Sequence, residues 1–449
     1  MTKHLFLAGA MACGLLASPA FAQDKWTVRP EWVRAHESFL ASDALQGRGS
    51  ATRDEAIAAA YVAAQFEGFG LKTAPGMQGY LQPATIVRAT LKGASLVSGS
   101  INVPQIGVLV GAAEGTGGKS VVFAGTDPAA LPAGEVVLAS GDPDIMAMYR
   151  AAGRKGVKLL VLRQSAKTDA MVKAMGGQPR MPTFLDGAPK EPRTVVAVVP
   201  AAQFDALART PGADVQVRLD VARETSITTN AIGWLPGTDP KAGVILLTAH
   251  LDHLGVRSDG VIMHGANDDA SGTTAVLELA RALAAGKPMK RGVLFVAYGA
   301  EEIGGMGSTW FGMHPPVPLA DMVANIEFEM IGAQDPKLPA GQMMMTGFER
   351  SNLGETLKSH GALVGPDPYP EQHFFERSDN YSLALQGVVA HTISGWAVIP
   401  TYHTPQDDLA SLDIAFMTRA IQSLVEPIRS LANSADKPEW KPGGRPGSR

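Results

Sequence analysis

Five short segments of the chain place imidazoles and carboxylates where they could hold cations and move protons. The first is Ala249-His250-Leu251-Asp252-His253, directly after the apolar run Val244 to Thr248. In an extended H-x-D, His250 and Asp252 point to one side, and a carboxylate beside a ligating imidazole fixes its tautomer. Taken alone, the same residues read as a polar strand end. The second runs from Gly265 to Gly272 and carries Asn267, Asp268 and Asp269 ahead of a helix. Acids there either cap the helix or bridge cations, since each carboxylate oxygen can hold one. The third is Glu301-Glu302, after an apolar run. Adjacent carboxylates repel in a buried site; a cation on one removes that cost and leaves the other free as a general base. In a solvated loop they would do nothing. The fourth is Glu327-Phe328-Glu329, where an apolar run ends and charge must be satisfied. The fifth is Tyr402 to Asp407, which puts His403 in a Pro-punctuated loop.

Each segment has an ordinary reading by itself, but together they describe one site. His250, Asp268, Glu302, Glu329 and His403 all follow strands or open helices within one α/β stretch. In open α/β sheets, ligands gather beyond the carboxyl ends of the strands. Two imidazoles and three carboxylates suit two divalent cations sharing one carboxylate. Such a pair can polarise a carbonyl and activate water.

The order of these motifs, closed by Tyr402-His403-Thr404-Pro405-Gln406-Asp407-Asp408, resembles the M28 family of zinc aminopeptidases over about 225–413. The segment His36 to Leu71, with Leu45-Gln46-Gly47-Arg48-Gly49, resembles the N-terminal part of exported members. The resemblance implies two zinc ions and a peptide substrate. It implies that His250 and Glu329 bind one metal, that Glu302 and His403 bind the other, and that Asp268 bridges both. Glu301 is then the general base, with Asp252, Asp379 and Asp407 supporting the ligands, Asp252 by orienting His250. A cis peptide bond between Asp268 and Asp269 is also implied. Three positions depart from the family: Glu329 stands where Asp is usual, Asn380 where His is frequent, and Phe375 where some members carry a Tyr for the oxyanion. Three other readings stay open. They are a carboxypeptidase or other amidohydrolase, with Arg377 as carboxylate clamp; a one-metal glutaminyl cyclase; and a binding module on a dead hydrolase fold.

The positioning elements follow from periodicity. Helices are expected over 32–40, 54–67, 146–152, 271–285 and 413–431, the last with a kink or an early stop at Pro427. Strands are expected over 244–248, 293–297, 322–328 and 388–393. Strands alternating with helices imply an α/β fold with a mixed, mostly parallel sheet flanked by helices. From 91 to 224, short β-branched runs punctuated by Gly, Pro and Asp imply a smaller inserted α/β or β-rich domain, placed like a protease-associated domain. The catalytic domain is then 23–90 and 225–433, and the Pro-, Gly- and Lys-containing tail 434–449 is expected to be disordered. With 45% hydrophobic and 18% charged residues in 449, the chain can bury a large core. A net charge of -4 argues against nucleic acid as partner. The apolar run Leu5 to Leu16, followed by Ala20-Phe21-Ala22, reads as an export signal over 1–22, too short to span a membrane. The single cysteine, Cys13, falls inside it, so no disulfide is expected in the exported chain.

Overall fold

A computed structural model describes residues 27–175, 178–188 and 193–447. The proposed export signal and Cys13 lie outside them. The catalytic part is built on a twisted sheet whose central strands are Val244–His250, Gly292–Tyr298, Met322–Phe328 and Ala390–Ser394. Val244–His250 pairs in parallel with Gly292–Tyr298 on one side and with Met322–Phe328 on the other, and Ala390–Ser394 extends the parallel run. Antiparallel neighbours close both flanks: Asp214–Leu235 beside Gly292–Tyr298, and Met343–Met345 beside Ala390–Ser394. The sheet is therefore mixed and mostly parallel. The first three of these strands are buried at every position, as expected of strands covered on both faces.

Helices Pro30–Leu40, Arg53–Gly68, Ser271–Ala284 and Ile414–Asn433 cover one face. Met306–Met313 and Asn380–Leu385 contribute Phe311, Leu383 and Ala384 to the core on the other. Thr52 caps the second helix, its side chain accepting from Asp54 N at 3.2 Å. The last helix runs through Pro427 to Asn433, so no early stop occurs there. Its buried face of Phe416, Met417, Ile421, Leu424, Ile428 and Leu431 belongs to the main core, and that packing outweighs one missing backbone hydrogen bond. Among the described residues no helix is long and apolar enough to cross a membrane.

Residues 91–224 are not separated from the catalytic part by linkers. Strands Leu81–Ser98 and Asp214–Leu235 pair antiparallel from Leu81↔Ala231 to Val97↔Gln216 and run through both expected boundaries. The outer ends of this ribbon carry a parallel array of Thr116–Phe123, Val136–Ala139, Leu159–Arg163 and Val195–Val199, with three α-helices among the described residues, so the insert is α/β rather than mainly β.

The tail corrects the expectation of disorder as far as Gly447. Arg291 donates through Nη2 to Asp436 O at 2.7 Å, Trp440 Nε1 donates to Gly387 O at 3.1 Å, and Lys441 N donates to Arg350 O at 2.8 Å. Trp440 lies 5.3 Å from the ring of His391. That histidine is fully buried, its Nδ1 2.8 Å from Thr346 O and its Nε2 2.7 Å from Ser351 Oγ. The carbonyl requires an N–H at Nδ1, so Nε2 accepts and the ring is neutral. Burial lowers its pKa to about 4. The unfolded chain then binds this proton below about pH 6.5 while the fold refuses it. Stability from this group is present above pH 6.5 and is lost as pH falls towards 4. His391→Gln should give a shallower drop of thermal midpoint over that window, measured in chelator. Parallel wild-type and variant curves would show that another group governs acid unfolding.

Candidate metal centre

The site assembles where parallel strands end. His250 is the last residue of its strand; Glu301 and Glu302 follow Tyr298, Glu329 follows Phe328, and His403 lies in the loop after Ser394. Asp268 precedes the Ser271–Ala284 helix and is joined to Asp269 by a cis peptide bond.

Two groups of donor atoms converge. His250, Asp268 and Glu329 form one; His253, Asp268, Glu302 and His403 form the other, and within each group the donor atoms lie within 4.8 Å of one another. The two groups share Asp268, whose Oδ1 is 3.2 Å from His250 Nε2 and whose Oδ2 is 3.1 Å from His403 Nε2. Glu302 Oε2 is 3.2 Å from His403 Nε2. These separations match neighbouring ligands on one ion, given metal–donor bonds of about 2.0–2.2 Å. The same atoms do not satisfy one another. His250 Nε2, His403 Nε2, both ring nitrogens of His253, Glu302 Oε1 and Asp268 Oδ2 are buried without a hydrogen bond. Buried polar atoms are ordinarily paired; these crowd together in two clusters without hydrogen-bond geometry, which suits donors that share a cation.

Local geometry explains how each donor is held. His250 Nδ1 is 3.2 Å from the backbone O of Asp252, which fixes the tautomer that leaves the Nε2 lone pair free to ligate a cation beside Asp268. The sequence assigned that task to the Asp252 carboxylate. Its nearer oxygen is 3.8 Å from Nδ1 and is otherwise engaged. Oδ1 accepts from Glu301 N at 3.0 Å, while Oδ2 accepts from Glu302 N at 3.3 Å and from Ser50 Oγ at 2.5 Å. Asp252 therefore fixes the turn that presents the two glutamates. Asp407 does the same for the Asp268 loop, accepting from Asn267 N at 2.7 Å and Asp268 N at 3.0 Å. Asp269 is a strut: its carboxylate accepts from His250 N, Gly272 N and Met330 N at 3.3, 2.9 and 3.1 Å. Behind these loops the buried Arg48 donates to Leu251 O, His264 O and Gly265 O at 2.8, 2.7 and 2.8 Å. The preceding Gly47 has φ +68°, and a Cβ there would meet Met263 O at 2.2 Å, so only glycine lets that turn approach.

Electrostatics separate the acids. Burial alone would raise Asp268, yet contacts with His250 and His403 hold it below the ordinary range. Burial raises Glu301 well above it; His250 opposes the shift, and Asp379, Glu329 and Glu302 add to it. Asp379 is also buried and pushed up to about 7, mainly by burial. Glu327 does not join either donor group. Its Oε2 accepts from Asn380 N at 2.5 Å and Thr392 Oγ1 at 3.1 Å. Asn380 thus belongs to a buried scaffold beneath the site. Beside Glu329 a pocket is lined by Met330, Met344, Phe374, Ala397 and Tyr402, with Arg377 at its exposed side. Reading the sequence missed His253, Ser50 and Arg48; the sole cue to His253 was the second histidine of His-Leu-Asp-His.

Residues 230–426 match peptidase family M28. The M28 segment contains every donor residue just described. Among curated proteins, the chain is 26% identical over 205 residues to aminopeptidase YwaD of Bacillus subtilis, covering 44% of this chain and 42% of that one. It is 29% identical over 241 residues to leupeptin-inactivating enzyme 1 of Streptomyces exfoliatus, covering 46% and 52%. A 129-residue stretch is 33% identical to an aminopeptidase of Pseudomonas aeruginosa, covering 28% and 23%. The chain thus spans about half the length of these relatives or less. Over 92% of its length it shares the fold of an aminopeptidase from Aneurinibacillus, with TM-score 0.56, 19% identity and 96% of that chain covered. It likewise shares the fold of BSAP, a zinc aminopeptidase from Bacillus subtilis, with TM-score 0.55, 19% identity and 98% of that chain covered.

Proposed function

We propose that this protein is a two-zinc aminopeptidase that removes N-terminal residues from peptides. The observation that carries the reading is the pair of donor groups sharing Asp268, with Glu301 beside them and outside both. His250, Asp268 and Glu329 would hold one ion; Asp268, Glu302 and His403 would hold the other. Bound zinc would supply Lewis-acid polarisation of the scissile carbonyl and make a water acidic enough to react near neutral pH.

The protein's own groups do the rest. Glu301 takes a proton from the attacking water, whose oxygen bonds to the carbonyl carbon. Its buried, acid-flanked carboxyl has the raised basicity this requires. The C–N bond breaks as Glu301 passes the proton to the departing amine. Asp252 holds the Glu301 backbone, and with it the base, in register. Asp268, Glu302, Glu329 and Asp379 make the site strongly acidic, which favours a substrate presenting a free ammonium group. The neighbouring pocket offers Met330, Met344 and Phe374 to an apolar first side chain. Phe375, buried and apolar, offers no oxyanion donor through its side chain.

One observation favours a second reading. Arg377 lines the same pocket and could hold a free carboxylate, as a carboxypeptidase requires. The deciding assay uses peptides free at both ends, acetylated at the N-terminus, or amidated at the C-terminus, each with and without added zinc. The aminopeptidase reading expects acetylation to abolish zinc-dependent cleavage and amidation to be tolerated. The reverse pattern would transfer the function to a carboxypeptidase. The export signal belongs to the same proposal, supported by Leu5 to Leu16 and Ala20-Phe21-Ala22. Periplasmic or secreted chain beginning at Gln23 would agree with it, and cytoplasmic full-length chain would not.

A further inference from the structure

The two donor groups are not equivalent. The His250 group has three residues, whereas the Glu302 group has four, because His253 joins it. His253 is fully buried, its Nδ1 lies 2.8 Å from Glu302 Oε1 and 3.8 Å from Asp268 Oδ2, and neither ring nitrogen makes a hydrogen bond. Nδ1 touches the carboxylates of Glu302 and Asp268 without hydrogen-bond geometry, and Nε2 has no hydrogen-bond partner, an arrangement that is costly unless a cation joins these groups. The ring is also held firmly. His253 N donates to Arg48 O at 3.0 Å, and Gly265 leaves the space the ring fills, since a Cβ there would stand 2.4 Å from His253 Cγ.

Resting on the two-zinc reading above, we propose that His253 is a direct ligand and makes the two metal positions unequal. The position of His253, Asp268, Glu302 and His403 has a full tetrahedral complement of protein donors, as sites that retain zinc for structure do. The position of His250, Asp268 and Glu329 has three, as sites that leave a place for water or substrate do. The first equivalent of zinc therefore enters the four-residue position and stays, and the second binds more weakly in the three-residue position.

The test is zinc titration of the metal-free full chain against a competing chelator, with X-ray absorption on the sample holding one equivalent. Two affinity classes at least about tenfold apart are expected, with two imidazoles on the first ion. In His253→Gln the first class should weaken by more than the 10–100-fold typical of losing an outer hydrogen-bonding partner. The second class should change little. Circular dichroism of the metal-free variant checks its fold, and the absorption measurement on wild type needs no variant. One imidazole on the first ion, or equal affinities for both ions, would overturn the proposal. Failure to bind any zinc would instead overturn the two-zinc reading on which it rests.

Discussion

Glu301→Gln is expected to lower the rate of peptide cleavage by about 10²–10⁴-fold, the usual contribution of a positioned general base. Zinc content and thermal midpoint should stay near wild type. The reason lies in the turn after Tyr298. Asp252 accepts from the backbone N–H groups of Glu301 and Glu302 with its two oxygens, so the amide side chain of the variant disturbs neither bond. Glu302 points at His403 and His253, whereas Glu301 belongs to neither donor group. Glu302→Gln should therefore show the opposite pattern, losing zinc first and activity in consequence. Zinc loss in Glu301→Gln equal to that in Glu302→Gln would mean that the roles of the two glutamates are exchanged.

The second large effect is expected at Asp268. Its two oxygens face different histidines, so one carboxylate serves both positions. Asp268→Asn replaces two anionic donors with one neutral oxygen and an amide that cannot ligate. Zinc per chain should fall from two to below one, with activity falling by orders of magnitude. Stability offers an independent readout. A ligand that binds only the folded state stabilises it by about 2.7 kcal/mol at 100 times its dissociation constant. Wild type should gain thermal midpoint on adding zinc, and Asp268→Asn should gain almost none. A variant that keeps both ions would show that Asp268 does not bridge.

Most residues of the two converging groups were legible in sequence because their imidazoles and carboxylates fall where apolar runs end. Val244 to Thr248, Gly292 to Tyr298 and Met322 to Phe328 read as strands through their unbroken apolar runs, and His250, Glu301, Glu302 and Glu329 follow from where those runs stop. His253 was not legible. Alternation along an extended chain puts positions 250 and 253 on opposite sides, but the strand ends at His250 and the chain turns, bringing both rings to Asp268. The same turn gave Asp252 a task that strand geometry could not foresee. Arg48 was not legible as part of the site, because its partners are backbone carbonyls, three of them 203 to 217 positions away, which no side-chain pattern records. The tail was misread from Pro, Gly and Lys content, although Trp440 was the one large aromatic available to anchor it.

The central claim is that two cations sit together on these side chains. Anomalous diffraction at the zinc edge, from crystals of the zinc-loaded full chain, tests it most directly. Two peaks about 3.5–4 Å apart are expected, one touching His250 and Glu329, the other Glu302 and His403, with Asp268 between them. A single peak, or two that do not share Asp268, would contradict the account.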